Sequence, residues 1–315
     1  MHASDALMSP MVASIAGVVS AVLIGVSSNK IKSEHRQDIV PLMGVMGAFV
    51  FAAQMINFTI PGTGSSGHLI GGILLSALMG PWCGFITLCS ILIIQCLIFA
   101  DGGLMALGCN ILNMAATSCL IAYPLLYKPI AGKSQKPGRI VAAAIISSIF
   151  ALELGAFGVT LETELSGVTL LPFSKFLTFM LPIHFVIGAI EGIVTSALIL
   201  FIFRYRKSML QSHIEKETKE NKGSLKMVLL VFGIFALILG GAFSILASEF
   251  PDGLEWAIMK VTGDAMMEAE TPAMAIMPDY DSNFAGIIGS IIVMIFLWGI
   301  SSLLLNRFRK PVKER

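Results

Sequence analysis

PGTGSSGH, residues 61–68, has glycines at 62, 64 and 67 and so matches G-x-G-x-x-G, the spacing of dinucleotide-binding loops. Such a loop needs a buried strand before it and a helix after it, within one βαβ unit. Its flanks say otherwise. Upstream stands IVPLMGVMGAFVFAAQMINF (39–58), and downstream LIGGILLSALMG (69–80) followed by WCGFITLCSILIIQCLIFA (82–100). These blocks are apolar throughout, with neither the two-residue rhythm of a half-buried strand nor the 3.6-residue stripe of a surface helix. Stretches of about 20 apolar residues have the length of a membrane-crossing helix.

The whole chain carries the same signature. Of 315 residues, 56% are hydrophobic and only 13% charged, and the mean hydropathy is +0.84. A soluble domain has roughly twice that charge. Nine apolar blocks lie near 9–28, 39–58, 68–80, 82–100, 104–127, 139–159, 176–203, 226–247 and 284–305. The third is short, and Gly80-Pro81 parts it from the fourth, so that pair also fits a re-entrant hairpin. Small residues such as Gly71, Gly72, Ser76 and Ala77 suit close helix packing in lipid.

Basic residues orient the spans, because Lys and Arg gather in cytoplasmic loops. With the N-terminus outside, every Lys and Arg except Lys175 and Lys260 falls on the inner face. The expectation is an all-α polytopic membrane protein with a seven-span body and a two-span tail, the N-terminus outside and the C-terminus cytoplasmic. The body covers 1–203 and the tail 227–315, joined by the charged stretch 204–226. The tail's two spans enclose an acid-rich outer loop, 248–282. No Lys or Arg precedes the first block, so it does not read as a cleavable signal peptide. The five cysteines all sit in or beside blocks four and five; an odd number there argues against a disulfide framework and for packing over a ligand role.

That topology puts PGTGSSGH outside the cell, where it meets no nucleotide. A second glycine-lysine stretch, Ala131-Gly132-Lys133-Ser134, has Tyr127 where a phosphate-binding loop needs glycine. The chain therefore offers no ATPase motif, and nothing in it suggests nucleic acid.

What remains is metal chemistry. His2 is bulky, so Met1 is expected to keep its place and its free α-amine. Amine, deprotonated His2 amide and His2 imidazole Nδ1 can then chelate one ion in a plane, leaving a fourth position open. His68 lies on the same side of the membrane, whereas His35 and His213 fall in the cytoplasm. Nitrogen sets of this kind suit Ni(II), Cu(II), Co(II) or Zn(II). The plainer alternative is a chance second residue and a polar helix start.

MHASDALMSP, PGTGSSGHLIGGILLSALMGPW, FADGGLMALGCNILNMA and LPIHFVIGAIEGIVT together resemble the CbiM/NikM family, substrate-binding subunits of energy-coupling-factor transporters for cobalt and nickel. The likeness spans most of residues 1–203. In the tail, PDGLE at 251–255 resembles the small CbiN/NikN partner, here fused. Met1, His2 and Asp5 match the family's N-terminal motif, while Ala3, Ser4 and Ala6 depart from it. The resemblance implies a metal held by Met1, His2 and His68. It implies a CbiQ/NikQ-type membrane coupling subunit and a CbiO/NikO-type ATPase pair as partners in a prokaryotic plasma membrane. The metal, Co(II) or Ni(II), is cargo, and no cofactor is implied. A rival reading is an ion-coupled secondary carrier, for which only Glu153 and Glu191 offer midplane acids; another is a structural subunit without ligand.

Other polar residues carry paired expectations. Asp101 either orients a ligand histidine or caps the next helix. Asn110 and Asn113 share a helix face and either pin the N-terminal segment or bond helix to helix. His184 and Glu191, seven apart, form either a metal or proton route or a satisfied buried pair. Glu153 is expected to hydrogen-bond within the bundle. Met266, Met267, Met274 and Met277 could bind soft metal but read better as loop or packing residues. Gly67 and its neighbouring glycines read as slack that brings His68 toward Met1 and His2.

Overall fold

A computed structural model describes residues 1–34, 39–132, 136–205, 222–243, 247–263 and 285–306. The four tail methionines, His35, His213, Lys133, Ser134 and most of the charged linker lie outside the described residues.

Among the described residues ten helices follow one another: α1 (Pro10–Glu34), α2 (Ile39–Gln54), α3 (Gly72–Met79), α4 (Pro81–Phe99), α5 (Leu107–Ala131), α6 (Pro137–Ser166), α7 (Phe173–Tyr205), α8 (Lys222–Ile238), α9 (Gly253–Thr262) and α10 (Ala285–Asn306). Among the described residues six are long and apolar enough to cross a membrane: α1, α4, α5, α6, α7 and α10. α2 and the helix around Met227–Gly241 are apolar but shorter. The chain is a multi-pass membrane protein.

The block at 68–80 is shorter than a span. Only Gly72–Met79 is helical, and eight residues rise about 12 Å against a hydrocarbon core of about 30 Å. Gly80, at φ 88°, turns the chain, and Pro81 opens α4 without needing a backbone donor. α3 and α4 thus form a hairpin, packed so closely that a Cβ on Gly84 would stand 2.9 Å from the Ser76 nitrogen.

Among the described residues one two-stranded hairpin departs from an all-helical fold. Phe58–Ile60 (β1) pairs antiparallel with Ser65–Gly67 (β2), in the register Phe58↔Gly67, Thr59↔Ser66 and Ile60↔Ser65. Gly62 and Gly64 occupy the left-handed region that the connecting turn demands. The G-x-G of the opening motif is therefore a hairpin turn.

Helix contacts follow the small residues. On α7, Gly188 and Gly192 lie against the backbone of Ile149 and Ile145 on α6, where a Cβ would come within 2.8 and 2.4 Å of their Cα atoms. This small-xxx-small spacing lets two backbones touch. The tail is laid on the body through α2. Gly44 and Gly47 receive Met294, Val293 and Leu297 of α10, and Phe49 meets Phe232 of α8 edge-on at 5.1 Å.

Candidate metal centre

The first residues are tucked into the helix bundle rather than trailing from it. Met1 is 5% exposed, and its Cε lies 2.7 Å from where a Cβ on Gly155 of α6 would stand. Ala3 is fully buried, so its polar backbone groups need partners. Its N–H donates to Asn110 Oδ1 at 2.8 Å, and its carbonyl accepts from Asn110 Nδ2 at 3.1 Å and from the Gly103 N–H at 3.0 Å. Asp5 opens a short turn and accepts the Ala106 N–H at 3.0 Å, at the start of α5.

This docking delivers the terminal amine to His68. The Met1 nitrogen lies 2.9 Å from His68 Nε2. His68 Nδ1 sits 3.2 Å from the Leu69 carbonyl. A carbonyl only accepts, so Nδ1 carries the hydrogen and Nε2 keeps its lone pair toward the amine. The His2 and His68 rings stack with centroids 5.1 Å apart and planes 7° from parallel. His2 Nδ1 pairs with Asp101 Oδ1 at 2.9 Å, while its Nε2 is buried without a partner. Burial, the terminal amine and His2 push His68 down to about 3, so its imidazole is neutral at ordinary pH. Burial alone would raise Asp101, but the charge and hydrogen bond of His2, then His68 and the amine, hold it below the usual carboxylate range.

The loop bearing His68 is fixed from beneath and from above. Beneath it, Glu191 of α7 accepts the N–H groups of Ile70 and Gly71 at 2.8 and 3.0 Å. Gln54 donates to the Ile70 carbonyl at 2.8 Å and itself accepts from Gln95 at 2.7 Å. Above it runs segment 248–256 of the tail. Ser66 gives its N–H to the Pro251 carbonyl at 2.8 Å and its hydroxyl to the Phe250 carbonyl at 2.7 Å. Trp256 donates its indole N–H to the Thr63 carbonyl at 2.9 Å.

Several expected roles change here. Gly67 is not slack: it is a buried strand residue, and a Cβ on it would meet Ile187 of α7 at 2.7 Å. Asp101 does not cap α5, whose N-cap has no side-chain bond; it faces His2 instead. The two asparagines divide the work. Asn110 pins Ala3, whereas Asn113 bonds Glu162 of α6 at 2.5 Å, helix to helix. His184 and Glu191 are not a pair, since His184 Nδ1 bonds the Met180 carbonyl at 2.7 Å and Glu191 serves the His68 loop. Glu153 Oε1 has no hydrogen-bond partner, contrary to expectation. All five cysteines are buried and unbridged.

Asp252 was not anticipated as a site residue. Its Oδ2 lies 2.5 Å from the Met1 amine, and its Oδ1 accepts the Leu254 and Glu255 N–H groups at 2.8 and 2.9 Å. Glu255 returns a bond to the Asp252 N–H, completing a capping box for α9. Burial would push the Asp252 carboxyl up, but the amine beside it and the cap bonds hold it well below the usual range. The D-x-x-E spacing signalled a helix start. Nothing in it signalled Met1, some 250 residues away.

Among the described residues, no group of three or more His, Cys, Asp or Glu is arranged to hold a metal. A site at this end must draw on main-chain nitrogen. Two ligands cis to one another in a square plane, each about 2.0–2.1 Å from the ion, stand about 2.9 Å apart. That is the separation of the Met1 amine and His68 Nε2. The nitrogen set suits Ni(II), Cu(II) and, with further donors, Co(II).

Comparison with known proteins agrees in kind. The family model described as the cobalt uptake substrate-specific transmembrane region, CbiM, matches residues 2–209, and the PDGLE domain model matches 226–306. A protein of Archaeoglobus fulgidus, provisionally named a fused nickel transport protein NikMN, is 30% identical over 93% of this chain and 96% of its own. The fused nickel transport protein NikMN of Rhodobacter capsulatus is 27% identical over 84% of this chain and 78% of its own. A crystal structure of a truncated transition metal transporter superposes with a TM-score of 0.57 at 26% identity, covering 65% of this chain and 99% of that one.

Proposed function

The chain belongs to the CbiM family with a PDGLE domain behind it, and on that premise we propose that it captures Co(II) or Ni(II) with its own N-terminus. The ion is then passed across the plasma membrane, this chain being the substrate-specific subunit of an ATP-driven energy-coupling-factor transporter. A membrane coupling subunit and a pair of ATPase subunits supply the energy. One observation carries the reading: a free amine and an unprotonated imidazole nitrogen face each other at ligand-to-ligand distance, held there by bonds from α2, α5 and α7.

Four nitrogens then surround the ion: the Met1 amine, the deprotonated His2 amide, His2 Nδ1 and His68 Nε2. His2 Nδ1 faces Asp101 in the metal-free arrangement. Turning the ring over about Cβ–Cγ brings Nδ1 round to the ion and leaves Nε2–H on the edge that faces Asp101. A carboxylate behind a ligating imidazole orients the ring and strengthens it as a donor. Met1, His68, Asp101 and Asp252 all gather at one end of the bundle. From there α1 runs toward Lys30 and Lys32, and α7 toward Arg204, which supports placing the site on the outer face. No bond of the cargo is made or broken; the chain binds and releases.

The test is metal content. The chain is purified with its first residue verified by intact mass, and bound Co(II) and Ni(II) are measured. The same measurement follows on a form with one residue added before Met1 and on His2→Ala. Both variants should lose the ion. If they retain as much as the parent, capture by the N-terminus is wrong. Uptake in cells that persists without an ATPase partner would instead favour an ion-coupled carrier.

A further inference from the structure

His184 on α7 is 1% exposed, and its two ring nitrogens are treated differently. Nδ1 lies 2.7 Å from the Met180 carbonyl, so it carries the hydrogen. Nε2 is left with a bare lone pair, buried, and has no hydrogen-bond partner. Buried polar atoms are nearly always bonded, so an orphaned acceptor calls for an explanation. His184 lines a small cavity together with Met1, His68 and Asp252. Leu152 and Ile187 on its walls offer nothing to an imidazole nitrogen. Gly253 closes the cavity from the tail, and a Cβ there would come 3.2 Å from His184 Cε1.

This is how a ligating histidine is held before its metal arrives: one nitrogen donates to a backbone carbonyl, fixing tautomer and ring, and the other waits bare. His68 is held the same way, with Nδ1 on the Leu69 carbonyl and Nε2 toward the amine. Glu191, the other buried ionisable side chain of α7, is committed to the Ile70 and Gly71 N–H groups and is not free to join. We propose that His184 Nε2 is a further donor to the captured ion, entering from the helix bundle outside the plane of the other four nitrogens. The proposal rests on capture at the N-terminus and adds a third imidazole to it. A fifth donor also bears on selectivity. A strict square plane of nitrogens suits Ni(II) and Cu(II), and an added ligand shifts the balance toward Co(II).

The experiment is X-ray absorption at the metal edge on the full chain with a free N-terminus, loaded with Co(II) and separately with Ni(II). Imidazole scattering in the parent should correspond to three rings for Co(II), from His2, His68 and His184. This count needs no variant. His184→Ala should still bind one ion per chain, with one imidazole fewer and with Co(II) affinity lowered about tenfold and Ni(II) affinity less so; His184→Gln serves if the alanine form does not fold. Two imidazoles in the Co(II)-loaded parent, or an unchanged spectrum and Co(II) affinity in the variant, would overturn the proposal while leaving N-terminal capture standing. A bridging water between His184 and Asp252 would produce that outcome. A parent that binds no metal would sink both.

Discussion

The two halves of the site are anchored by different parts of the molecule. The amine side, residues 1–8, is held mainly by the body: Asn110 and Gly103 clasp Ala3, Ala106 meets Asp5, and Asp101 meets His2, while the tail reaches it only through Asp252 on the Met1 amine. The His68 side is held jointly, by Glu191 and Gln54 within the body and by Pro251, Phe250 and Trp256 of the tail. Disturbing the body should therefore remove donors outright. Disturbing the tail should loosen them without removing any.

Gly103→Ala strikes the amine side hardest. A Cβ there would overlap the Asp5 carboxylate and stand 2.4 Å from the Asp5 backbone nitrogen, so turning the side chain away does not relieve the clash. Overpacking of this kind costs about 3 kcal/mol, which corresponds to about a hundredfold in metal affinity, read by titration of purified chain. An affinity within threefold of the parent would show that residues 1–8 do not position the amine.

On the other side, Glu191→Ala strips the acceptors from two buried N–H groups. The loss is about 2 kcal/mol, expected as about a thirtyfold weaker metal affinity together with a lower Tm. Glu191→Gln, which keeps one acceptor, should fall between.

The tail contributes less. Asp252→Asn keeps a good helix cap and loses the charge beside the amine, for about a fivefold fall in affinity, near 1 kcal/mol. Its pH behaviour sharpens the contrast. The Asp252 carboxyl is held below its ordinary value, so its contribution is complete above the unfolded value of about 3.9. That contribution is lost only as pH falls through the depressed one. Hydrogen exchange of the 58–67 hairpin should thus be insensitive to this group between pH 5 and 7 and should speed up in strong acid; in Asp252→Asn that acid step should vanish. Smallest of all, Trp256→Phe keeps an aromatic face for Phe179 and for Lys260 and loses the bond to Thr63. It should speed exchange in the hairpin by the equivalent of about 1 kcal/mol and leave metal affinity within twofold.

The multi-pass helical class was legible because apolar run length is a property of single segments. Met1, His2 and His68 could be nominated because the chemistry of a terminal amine beside histidine needs no tertiary information. What escaped depended on packing across the chain. Gly67 looked flexible, yet its role is set by Ile187 on a helix 120 residues later. Asn110 and Asn113 looked equivalent on one face, and only their neighbours, Ala3 and Glu162, told them apart. Asp252 stood out only as part of PDGLE, and nothing in that motif made it a neighbour of Met1. The hairpin at 58–67 was hidden because three-residue strands of mixed polarity leave no periodic trace.

The division of labour on the Asp252 carboxylate has a thermodynamic corollary. One oxygen winds the start of α9, and the other faces the terminal amine. A ten-residue helix is marginal without its cap and its packing, so its winding and the state of the first residue share one free energy. By reciprocity, whatever draws that carboxylate toward or away from the amine must tighten or fray α9 by an equal amount. The helix becomes a gauge, readable from a distance, of what the first residue of the chain is holding.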